Sequence, residues 1–148
     1  MEVADSFVVS AKPGQAWEFF WDLTKVARRL PGCEAIARVD ESTYKLQMVQ
    51  RVGPFKVSMD VRMTVNEIDE GRRVVLSGEG KDRMGNRLQI SRLAMEIAKA
   101  PAGGTQVAYL MDFHLYGRIA ALGNTAVKRK VEETRAEFSR GIAEELGG

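Results

Sequence analysis

At 148 residues, with 45% apolar and 28% charged side chains, the chain has the composition of one globular domain, which excludes the disordered and collagen-like classes. Its formal charge of +2 is too small for a general polyanion binder, so no nucleic acid partner is expected. One cysteine, Cys33, and one histidine, His114, exclude an internal disulfide and a zinc-ligand set, so neither a metal nor a redox cofactor is expected.

Phe7-Val8-Val9, within residues 3–10, reads as a first strand. Pro13 then opens a helix whose Trp17, Phe20 and Trp21 recur at helical spacing, a face expected to dock on a sheet. Thr24 is placed to cap a second short helix, which Pro31-Gly32 ends. From Cys33 to Leu115 the period changes to two. Turn signals at Asp40-Glu41-Ser42, Gly53-Pro54, Asp69-Glu70-Gly71, Met84-Gly85-Asn86 and Ala102-Gly103-Gly104 divide this stretch into six strands. After Gly117, the positions Ile119, Leu122, Val127, Val131, Thr134, Phe138 and Ile142 place one apolar stripe on a long helix reaching about residue 145.

No repeat or linker interrupts this order, so residues 1–148 read as a single α+β domain. An antiparallel sheet with one apolar face must cover that face, and the long C-terminal helix is the element available to do it. The expected architecture is a curved seven-stranded antiparallel sheet around a long C-terminal helix, with two short helices after strand 1. The wedge between sheet and helix is the kind of apolar concavity in which small molecules bind. The N-terminus lacks the basic and apolar regions of a signal peptide, and no window approaches a membrane span, so a cytoplasmic protein is expected.

Particular residues carry a family resemblance. Leu30-Pro31-Gly32-Cys33, Arg51-Val52-Gly53-Pro54-Phe55-Lys56, Gly78-Glu79-Gly80-Lys81, Gly104-Thr105 followed by Tyr109, and Gly117-Arg118-Ile119-Ala120-Ala121-Leu122-Gly123 occur in this order over nearly the whole chain. The set resembles the family of the carbon monoxide dehydrogenase G subunit, within the START-like (SRPBCC) superfamily. The resemblance implies a helix-grip fold, an apolar cavity that takes a quinone, and an accessory role at the membrane for carbon monoxide dehydrogenase or a related molybdenum hydroxylase. Asp82-Arg83-Met84-Gly85-Asn86-Arg87 departs from the family's glycine- and alanine-rich pattern by its extra charge.

The ligand-binding candidates follow from the alternation. Phe55, Val57, Met59, Val61 and Met63 share one face of the fourth strand, and Tyr109, Met111 and Phe113 one face of the last. Ile119 and Leu122 stand at the glycine-flanked start of the helix, where a gate would open. Met48, Met59, Met63, Met95 and Met111 all fall in strands, where flexible thioethers suit either an irregular core or a pocket for a long apolar ligand. Arg92, counted with Leu88, Ile90 and Ala94 on one face, is the sharpest polar candidate for a ligand carbonyl or carboxylate. No catalysis is expected, because His114 and Asp112, next neighbours on one strand face, lie roughly 7 Å apart, too far for a direct hydrogen bond. Two other readings remain open: a cyclase-like enzyme using Arg92, Tyr109 and Asp112, and a membrane-recruitment module using the basic run Lys128-Arg129-Lys130.

Overall fold

The computed structural model describes residues 1–148. In chain order the elements are β1 (Glu2–Val9), α1 (Pro13–Phe20), α2 (Leu23–Ala27), β2 (Cys33–Arg38), β3 (Thr43–Val52), β4 (Phe55–Asp69), β5 (Arg73–Lys81), β6 (Arg87–Lys99), β7 (Thr105–Tyr116), α3 (Arg118–Ala121) and α4 (Gly123–Leu146). The strands form one curved antiparallel sheet in the order β1-β7-β6-β5-β4-β3-β2. Each strand from β2 to β7 follows its neighbour through a turn, while β1 joins the far side of β7, so the chain's two earliest strands form opposite edges.

Register partners share a face, and the rows they form explain the core. One row runs Val3, Met111, Leu93, Leu76, Val65; the next runs Phe113, Ile90, Gly78, Met63, Tyr44; a third runs Leu115, Leu88, Gly80, Val61, Leu46, Ile36. This is the inner face, and α4 brings Val127, Phe138 and Ile142 to its core. Gly78 sits in the second row because a side chain there would collide with the Met63 thioether. All five strand methionines lie on this inner face.

Three sequence expectations change. Asp22, not Thr24, caps α2: its carboxylate accepts from the Thr24 N–H at 3.1 Å and from the Thr24 hydroxyl, which holds the Asp22 pKa below the usual range. Of the aromatic helix face, Trp17 and Phe20 are buried with Phe19, but Trp21, the residue at the end of α1, is 46% exposed. The expected single C-terminal helix is two. Gly123 takes φ 84°, a conformation that breaks the α-helical path, so the four residues of α3 stand apart from α4 between Gly117 and Gly123.

Candidate functional site

Phe55, Val57, Met59, Val61, Met63, Tyr109, Met111 and Phe113 all face inward, as the alternation predicts, and Ile119 and Leu122 approach the same interior from α3 and its end. Val57, Met59, Val61, Met63, Phe113 and Ile119 are buried, while Phe55, Tyr109, Met111 and Leu122 are half-buried. With Met48, Leu88, Leu115 and Val131, also half-buried, they form an apolar inner surface that the helices cover incompletely. On α4, Val127 and Phe138 are buried, whereas Val131, Thr134 and Arg135 between them are half-buried, so the middle of the helix covers the sheet less completely than its ends.

Arg92 is not in this site. A β-bulge between Ile90 and Arg92 shifts the alternation by one residue, leaving Leu88 and Ile90 inside and turning Arg92 outward with Ala94. Arg92 is exposed, directly across from Asp112 on the outer face. His114 is exposed on that same face. The acid-base set of a cyclase reading therefore comes apart, because Arg92 and Asp112 lie on the opposite side of the sheet from Tyr109.

Cys33 lies on the inner side beside Met48, half-buried, with its thiol directed at the Ala35 carbonyl at 3.5 Å. Burial pushes its pKa up, which disfavours the reactive thiolate.

Two polar groups inside, Asp5 and Arg135, are ones the alternation does not single out. Asp5, on the inner face of β1, stands opposite Tyr109 of β7. Arg135 of α4 donates to the Asp5 carboxylate at 3.0 Å and to Glu132 on its own helix. The Tyr109 ring meets Phe138 edge-on, with centroids 6.2 Å apart. Burial, and then the negative charge of Asp5, push the Tyr109 hydroxyl to about 12, so it stays neutral and able to donate at ordinary pH. Asp5 and Arg135 are 130 residues apart, a separation no local pattern reveals.

A polar contact, the latch, ties the start of α3 to the β5–β6 turn. Asn86, 5% exposed in the β5–β6 turn, accepts from the Ile119 N–H through Oδ1 and donates through Nδ2 to Asp82 at 2.7 Å. Leu122 lies against Gly53 in the β3–β4 turn.

A groove of about 810 Å³ crosses the outer face from β2 to β6. One row of its lining carries Gln47, Asp60, Lys81 and Arg87, the other Lys45, Arg62 and Glu79, with the backbone of Leu46, Val61, Gly80 and Leu88 between them. Its charged walls offer little to an apolar molecule.

A model of the CoxG family, the G subunit of carbon monoxide dehydrogenase, matches residues 6–147. The chain belongs to the CoxG family. No curated protein matches it in sequence. Among solved structures, a conserved protein from Geobacillus kaustophilus is similar at a TM-score of 0.88 with 16% identity, over 99% of this chain and 95% of that one. The Zhui aromatase/cyclase of Streptomyces sp. R1128 gives 0.72 at 13% identity, over 99% and 93%. A START superfamily protein of Mycobacterium smegmatis gives 0.70 at 13%, over 98% and 96%. At these identities the likeness establishes that the CoxG-family chain has the START-like helix-grip fold, and its ligand must be argued from its own residues.

Proposed function

We propose that the protein holds a lipophilic small molecule, a quinone or related isoprenoid lipid, between the sheet and the C-terminal helices. In this reading it acts as a non-catalytic accessory of carbon monoxide dehydrogenase or a related molybdenum hydroxylase at the inner face of the membrane. The observation that carries the reading is the incompletely covered inner surface, where Met48, Phe55, Leu88, Met111, Leu115 and Leu122 are apolar yet half-exposed. A ligand tail there would replace water, each buried methylene contributing about 0.8 kcal/mol. Membership of the CoxG family supports the accessory role.

No helix is long and apolar enough to cross a membrane. Contact with a bilayer would therefore be peripheral at the described residues. Lys128 and Arg129 are exposed, and Glu132, one turn along α4, pairs with Arg135 and leaves their charge available to anionic headgroups.

The test is a titration of a short-tailed and a long-tailed quinone, followed by quenching of Trp17 and Trp21 fluorescence. Affinity is expected to rise with tail length until the inner surface is covered. Equal affinities for the two would remove the lipophile reading.

A further inference from the structure

On the reading that this inner surface takes a lipophile, we infer that Tyr109 with the Asp5–Arg135–Glu132 cluster forms its polar end and selects a neutral, hydrogen-bonding head group, an alcohol, phenol or ketone, over a carboxylate. The rows from Val3 to Val65, Phe113 to Tyr44 and Leu115 to Ile36 are apolar, and Gln50, the polar residue opposite Val57, already donates to the Pro31 carbonyl, so this patch is where a ligand's polar group can be satisfied.

The patch is also where the inner surface is less than fully covered. Asp5, Tyr109, Met111, Thr134 and Arg135 are all half-buried, between core positions that are closed. The Asp5–Arg135 bond ties α4 to the edge strand β1 at 3.0 Å and places both groups beside the Tyr109 ring. The Tyr109 hydroxyl makes no hydrogen bond within the protein and is not sealed from solvent, so a ligand oxygen can take the place of water there.

The charge balance decides the class. Asp5 and Glu132 together exceed Arg135 by one negative charge, and the guanidinium already donates to both carboxylates. Lys130 and Arg140, each five residues away, stand about 7.5 Å along the helix axis. An incoming carboxylate would therefore meet a net negative patch in a partly desolvated site and find no uncommitted cation. An alcohol meets no such repulsion. It can accept from Tyr109 and donate to Asp5.

The experiment compares 1-dodecanol with dodecanoate at pH 8, where the acid is ionised, using the whole chain and tryptophan fluorescence as the readout. Dodecanol is expected to bind at least about tenfold more tightly. Tyr109→Phe, which keeps the ring and its contact with Phe138, should weaken dodecanol roughly five- to tenfold, the effect of losing one hydrogen bond. The same variant should leave dodecane, which has no head group, unchanged. Asp5→Asn should raise dodecanoate affinity several-fold. Equal wild-type affinities for alcohol and carboxylate, or a Tyr109→Phe protein that loses dodecane and dodecanol alike, would overturn the head-group assignment while leaving the lipophile reading standing. Absence of binding by dodecanol, dodecanoate and the long-tailed quinone alike would overturn both.

Discussion

The side-chain oxygen of Asn86, in the turn between β5 and β6, accepts a hydrogen bond from the backbone N–H of Ile119 at 3.1 Å. That N–H lies at the start of a four-residue helix, where no earlier carbonyl can take it. The turn that departs from the family pattern is therefore the one that secures α3.

Replacing Asn86 by Ala should destabilise the fold by about 1–3 kcal/mol, since it leaves the Ile119 N–H without its acceptor. Urea denaturation followed by circular dichroism measures this. A change below about 0.5 kcal/mol would show that water replaces the amide and that the latch holds nothing.

Acid should loosen the same latch. Burial acts to raise the Asp82 pKa, but hydrogen bonds from the Asn86 side chain and from the Asn86, Met84 and Gly85 amides outweigh it, and the net shift is downward. A carboxyl whose folded pKa is depressed contributes stability that is present above its unfolded pKa and is lost as pH falls through the folded one. Stability should thus decline below about pH 4, and Asp82→Asn should flatten part of that decline. A pH series of denaturation midpoints with identical slopes for wild type and variant would contradict the assignment.

Binding of a long-tailed quinone should be abolished by Met111→Glu, which puts a charge on the half-buried inner surface beside Val3 and Leu93. The substitution at this position is more informative than at Met59, which is buried and whose replacement endangers folding. Unimpaired binding by a folded Met111→Glu protein, checked by circular dichroism, would place the ligand elsewhere.

His114→Ala and Cys33→Ser should each leave affinity within about threefold of wild type, a change under roughly 0.7 kcal/mol. His114 is on the outer face, and Cys33 is a half-buried thiol whose pKa is raised. A tenfold loss for either, at unchanged thermal stability, would bring that residue into the site.

The strand pattern is legible in the sequence because alternation is a local signal. The odd-numbered face of β4 from Phe55 to Met63 and that of β7 from Tyr109 to Phe113 turn inward as their periodicity requires. Periodicity misplaces Arg92 because a bulge inserts one residue without a composition change, and Ser91, the residue involved, resembles any other polar strand position. The break at Gly123 is hidden by an apolar stripe that continues through it from Leu122 to Val127. Asp5 gives no local signal for another reason: it is an ordinary acidic residue on an edge strand until β7 and α4 bring Tyr109 and Arg135 beside it.

The far end of α4 has a practical meaning. Its last residues return to the start of the chain, where the Ser10 and Ala11 amides donate to the Gly147 and Leu146 carbonyls at 3.2 and 2.9 Å. The helix between is 24 residues long, about 36 Å. A surface linker or fluorescent label fused after Gly148 would thus leave the molecule a full helix length from the Asn86 latch, so protein tethered by that end on a sensor chip would present α3 to the flowing solution.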